Sequence, residues 1–118
     1  MFKLNALTTH HSRNKIMGKV IAQVNYNSTF TDEKSREEKR LMAESRASIP
    51  GFIWKVWLRN EETGRGGGLF LFENRAAADA WVAGRANRKF APTTSNITVE
   101  LFDVDEELTR ISRGPIDL

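Results

Sequence analysis

The chain has 118 residues, enough for one hydrophobic core and too few for two, and its 40% apolar and 28% charged content excludes a disordered or fibrous chain. The absence of cysteine removes disulfide scaffolds, thiolate metal sites, iron–sulfur clusters and a cysteine nucleophile together. The net charge of +3 gathers at the start, where residues 1–20 carry Lys3, Arg13, Lys15 and Lys19 without an acid and leave 14 basic against 15 acidic residues behind them, so no folded basic face awaits nucleic acid.

Residues 1–16 show neither helical nor strand periodicity and are read as an N-terminal extension of a single domain over 17–118. His10 and His11 belong to that extension and are expected in solvent, not on a metal. No apolar run is long enough to cross a bilayer and no secretory pattern opens the chain. The expected setting is the cytoplasm, with no membrane partner.

The first strand is predicted over Val20–Tyr26, with Ile21, Gln23 and Asn25 on one face. Thr31 as N-cap, with Asp32 and Glu33 behind it, starts a helix that runs toward Pro50. That helix is expected to dock through Leu41, Met42, Ser45 and Ile49, its charged run being solvated. A second strand, Phe52–Arg59, alternates Phe52, Trp54, Val56, Leu58 with Ile53, Lys55, Trp57, Arg59. Asn60–Gly68 supplies a turn, and Leu69–Phe72 a third strand. Asn74 caps a second helix with a predicted buried stripe of Ala77, Ala80, Trp81 and Gly84. After a return loop at Pro92 come a fourth strand, Ile97–Val104, and a short terminal turn or helix over 106–113.

This order, β-α-β-β-α-β, is that of the α+β ferredoxin-like fold: a four-stranded antiparallel sheet with two helices on one face. The other face needs a cover, and a second copy of the chain is the expected one, giving a homodimer. The dimer face is expected to carry Ile53, Lys55 and Trp57 from the second strand and Glu100 and Phe102 from the fourth, with Lys55 paired to Glu100.

The stretch Pro50–Phe72 (PGFIWKVWLRNEETGRGGGLFLF), followed by ENRAAADAW, resembles the YdhR-type monooxygenase family of the dimeric α/β-barrel superfamily. The likeness begins near Ala22, takes in LMAES, and ends with VELFDVDEELTRIS, covering about residues 18–113 of the chain. The third glycine of Gly66, Gly67, Gly68 departs from the pattern, and residues 1–16 lie outside it. The resemblance implies a ferredoxin-like homodimer with an apolar cleft between sheet and helices. It also implies monooxygenase chemistry, which related barrels direct at aromatic polyketides without a cofactor or at haem, while other members only bind.

Cofactor-free oxygenation asks for a dry aromatic pocket, help in removing a proton, and donors for the substrate's oxygens. The pocket candidates are Asn25, Tyr26, Trp54, Trp57, Phe70, Phe72 and Trp81, around a small hydrophobic or aromatic ligand held between the sheet and the second helix. Lys55 reads as an interfacial ion pair or as an anchor for an anionic substrate, and Arg59 as solvated. Gly64, Gly66, Gly67 and Gly68 precede a strand, where a phosphate loop would follow one and open a helix, so turn geometry and close backbone approach explain them. No histidine stands on the second helix to hold haem, and no ligand set for a metal exists in the domain. The expectation is no cofactor, with flavin left undecided by the residues. Two functions fit: a cofactor-independent monooxygenase, or a non-catalytic small-molecule binding or interaction protein on the same fold.

Overall fold

Val20, Ala22 and Val24 are buried while Ile21, Gln23 and Asn25 between them stay partly open, the alternation that a pleated strand with one well-covered face imposes. The computed structural model describes residues 18–28, 33–85 and 94–118. They form β1 (Val20–Asn27), α1 (Glu33–Arg46), β2 (Phe52–Asn60), β3 (Arg65–Phe72), α2 (Arg75–Arg85), β4 (Ser95–Asp103) and α3 (Glu106–Ile111). The four strands make one antiparallel sheet in the order β2-β3-β1-β4, which is the expected ferredoxin-like arrangement with a short terminal helix added. The extension with His10 and His11, the proposed cap Thr31 with Asp32 behind it, and Pro92 lie outside the described residues.

The core lies on the helix face of the sheet. Val20, Ala22 and Val24 of β1, Phe70 and Phe72 of β3 and Ala78 of α2 form it, with Phe52, Ile97, Val99 and Leu101 packed around them. α2 begins as expected, the Asn74 side chain accepting from the Ala77 N–H at 2.8 Å. Its buried stripe is corrected: Ala78 is the fully buried residue, Ala77 and Trp81 are partly covered, and Ala80 and Gly84 are exposed. α1 also docks differently. Leu41 is 57% exposed, Ser45 turns its hydroxyl back onto the Met42 carbonyl, and the buried residue is Arg46.

Two corrections concern β2 and β3. The glycine run belongs to β3, which starts at Arg65, so the turn is confined to residues 61–64, with Gly64 in the left-handed region at φ 72°. In β2 the pairing steps from Phe52–Phe72 to Trp54–Leu71, leaving Ile53 as an extra residue. Side chains alternate with period two, so one inserted residue sends every later side chain to the opposite face. Phe52 thus stays in the core, and Lys55 and Trp57, opposite Phe70 and Gly68, join it on the helix face. Trp54, Val56 and Leu58 are on the other face. The expected dimer face with Lys55 and Trp57 on it, and the Lys55–Glu100 pair, are overturned by this shift, since Glu100 and Phe102 oppose Gln23 and Ile21 on the face away from the helices.

That second face is partly closed by the chain's own C-terminus, where a second copy of the chain was the expected cover. The Trp54 indole N–H donates to the Pro115 carbonyl at 2.7 Å, and Ile116 and Leu71 are both buried. α3 fastens this segment: Asp105 caps it through the Leu108 N–H, Glu106 accepts from the Lys19 N–H at 2.9 Å, and Arg110 binds Asp117. The Glu106 carboxyl is held below its ordinary range, chiefly by that backbone bond.

Candidate functional site

Phe70 lies at the middle of the helix face, and the side chains with chemistry gather around it. The Trp81 ring is 4.3 Å from its centroid, the Lys55 ammonium 4.5 Å and the Arg46 guanidinium 5.7 Å. Lys55 is also 3.1 Å from the centroid of Trp57, a cation between two aromatic faces. Glycine permits this, because a Cβ on Gly68 would meet the Lys55 Cε at 2.5 Å. On the far side of the cluster Arg85 stacks on Trp81, its guanidinium carbon 4.6 Å from the ring.

A cavity of about 650 Å³ opens between α2 and the end of α1, the size of a small-ligand site. Ala77, Ala80, Trp81, Gly84 and Arg85 of α2 form one wall, and Arg46, Ile49, Pro50 and Gly51 the other, with Glu73 at the junction. The approach of the walls is set by Gly51. Its φ of 75° and the 2.4 Å that would separate a Cβ there from the Ala77 Cβ both demand glycine. Small residues at 77, 80 and 84 leave the space, and Trp81 bounds it.

The expected pocket residues separate. Tyr26, Trp57, Phe70, Phe72 and Trp81 share the helix face, but of these only Trp81 is among the residues lining the cavity. Phe72 is core, its ring parallel to that of Phe70. Asn25 and Trp54 are on the other face, opposite Gly67 and Leu71, and Ile53 sits half-covered in the bulge. Arg46 and Arg85 went unnoticed in the sequence, although each carries a helical signal. Arg46 lies at i+4 from Met42 and three before Ile49, and Arg85 at i+4 from Trp81, the spacing at which side chains meet on one helix face.

Arg46 and Arg85 bring positive charge to Tyr26 on the helix face. Burial pushes the Tyr26 phenol up, and Arg46 and Arg85 pull against that shift. Burial lowers Lys39 of α1, with Arg59 and Arg36 adding to it, so α1 and the end of β2 bring three more cations together. Arg59 also meets Glu61 at 3.2 Å. Among the described residues no three His, Asp or Glu side chains cluster as a metal would need, and no helix is long and apolar enough to cross a membrane.

The state of Tyr26 can be read directly, because it is the chain's single tyrosine. Ultraviolet titration of its phenolate should show a midpoint above the ordinary value of about 10. Arg85→Gln should move it higher still by removing a charge that favours phenolate. A raised folded pKa means that stability is fully present below the ordinary phenol range and declines as pH rises through it, since the unfolded chain ionises first. A midpoint at or below the ordinary value would contradict the burial of this hydroxyl.

Residues 21–115 match the profile of the family described as "Putative mono-oxygenase ydhR". Among solved structures, SnoaB from Streptomyces nogalater, described as a cofactor-independent oxygenase, superposes with a TM-score of 0.54 at 14% identity, over 74% of this chain and 93% of its own. The haem-degrader MhuD from Mycobacterium tuberculosis, with two haems bound, superposes at a TM-score of 0.49 and 22% identity, over 72% of this chain and 95% of its own. No curated protein sequence matches the chain significantly.

Proposed function

The chain belongs to the ydhR mono-oxygenase family, and from that premise we propose that it is a cofactor-independent mono-oxygenase of a small aromatic or enolisable molecule, acting as a cytoplasmic homodimer whose folded unit is residues 17–118. The observation that carries the reading is the cavity of about 650 Å³ bounded by Trp81 and flanked by Arg46 and Arg85. Trp81 and the small residues of α2 give the space an apolar wall, and cations at its side stabilise a substrate that has lost a proton. Such a substrate needs no cofactor as electron source. Its CH2 group loses a proton, the carbanion passes an electron to O2, the two radicals join as a peroxide, and protonation with loss of water leaves a carbonyl: CH2 plus O2 becomes C=O plus H2O. SnoaB, described as a cofactor-independent oxygenase, shares the fold, which supports the reading.

The test is oxygen uptake on a panel of anthrones, phenols and quinols without added flavin or metal. Turnover is expected, and Trp81→Ala should lower it by about 100-fold, since loss of a positioning wall costs that order. Its effect on folding should be at most about 3 kcal/mol, because Trp81 is only partly buried, so the variant can be shown folded first. Binding of the panel with no oxygen consumed would assign the cavity to a non-catalytic binding protein instead.

The homodimer is supported by the sheet face away from the helices. Val56 is 46% and Phe102 43% exposed there, with Leu58 beside Val56, an apolar surface that a second sheet would cover. Sedimentation at micromolar concentration should give a dimer, and Val56→Glu should give a folded monomer. A wild-type monomer would sink the assembly.

A further inference from the structure

Removing a proton from a ligand in the cavity takes a base, and the lining offers one. An arginine cannot be deprotonated in a protein and an indole N–H only donates, and the other lining side chains are apolar, so among the described residues around this space Glu73 alone can accept a proton. Arg46 and Arg85 are engaged within the chain, whereas among the described residues none donates to the Glu73 carboxylate. The backbone fixes its place. The Glu73 N–H donates to the Gly51 carbonyl at 2.9 Å, and Asn74 directly behind it caps α2, which pins the residue where the two walls meet. A Cβ on Gly51 would come 4.0 Å from the Glu73 Oε2, so the bare glycine leaves room beside that oxygen. The side chain is exposed and keeps access to the water with which a base exchanges its proton.

We infer that Glu73 is the general base that takes the proton from the substrate's CH2 group, an assignment that rests on the reading of this cavity as the oxygenase site. Trp81 stands about two helical turns along α2 from Glu73, so a fused-ring ligand resting on the indole extends toward the carboxylate. The C–H bond breaks, its electron pair stays on carbon as the carbanion, and the proton passes to a carboxylate oxygen of Glu73. Once the carbanion has combined with O2, the neutral Glu73 acid returns that proton to the peroxide anion. Loss of water from the hydroperoxide then leaves the carbonyl, with Glu73 ionised again. O2 is the oxidant throughout and no second base is needed. A carboxylate in this role contributes about 100-fold or more to the rate.

The proton step needs no oxygen, so exchange of the anthrone CH2 protons for deuterium, followed by NMR in D2O under nitrogen, reads it apart from turnover. The full-length protein should accelerate this exchange over buffer. Glu73→Gln, which keeps the shape of the side chain and removes its basicity, should lower the catalysed exchange rate by about 100-fold. Its affinity for anthrone, followed by the quenching of tryptophan fluorescence, should stay unchanged. Glu73→Asp, a carboxylate one methylene shorter, should recover part of the lost rate. The exposure of residue 73 lets both variants fold. Exchange no faster than in buffer, undiminished exchange in Glu73→Gln, or a loss of rate matched by an equal loss of anthrone binding would overturn the assignment. Exchange that depends on Glu73, with no oxygen consumed once air is admitted, would leave it standing while the oxygenase reading fell, and oxygen consumption by Glu73→Gln at the wild-type rate would do the reverse.

Discussion

Replacing Phe70 by Ala should destabilise the domain by about 3 to 5 kcal/mol, the range for truncating a buried phenylalanine, and lower Tm by roughly 15 °C. Phe70 is 1% exposed and its ring touches Trp81 and meets Phe52 and Phe72 edge-on and in parallel. Its removal would leave a void between sheet and α2 that rigid strand backbones cannot close. The site would suffer with the core, because Phe70 is also the surface against which Lys55 and Arg46 rest. Differential scanning calorimetry reads the stability. Phe70→Leu, which keeps most of the volume, should lose less than half as much, and equal losses in the two variants would mean that the cost is not a cavity.

Gly67→Ala should be nearly as damaging through an opposite defect. A Cβ at this position would stand 2.0 Å from the Val24 carbonyl oxygen and 3.2 Å from the Asn25 Cα, both backbone atoms of the neighbouring strand. Nothing flexible is there to yield, so β1 and β3 would have to separate in the centre of the sheet. The expected loss is about 3 kcal/mol, at the upper end for overpacking. Gly68→Ala is the informative contrast. Its new methyl meets the end of the Lys55 side chain first, with the Val56 carbonyl oxygen at 3.2 Å behind it, so Lys55 should swing away from Trp57 and Phe70 at a smaller cost to folding. Chemical denaturation of the two variants side by side checks the order, and a Gly67→Ala protein as stable as the parent would show that the strands can part.

Element order, the antiparallel sheet, the Asn74 cap and the family were legible in the chain itself, because each depends on local signals: period-two alternation in β1, β2 and β4, helical spacing in α2, turn residues around Gly64, and the PGF-x-WKVW stretch. Which residues of β2 face the helices was not. That depends on one extra residue, Ile53, whose bulge exists only because Phe52 and Trp54 pair with adjacent residues of β3, and a strand read alone alternates without interruption. The same shift took Trp54 out of the site and brought Lys55 and Trp57 onto its face. The strand identity of the glycine run was hidden for a related reason: glycine reads locally as turn, yet here a strand between two close neighbours has no room for side chains. Arg46 and Arg85 carried the correct helical spacing in the sequence, but a charged side chain on a helix is usually solvated, and only the packing of α1 and α2 against a common pair of rings, Phe70 and Trp81, turned them toward one cavity.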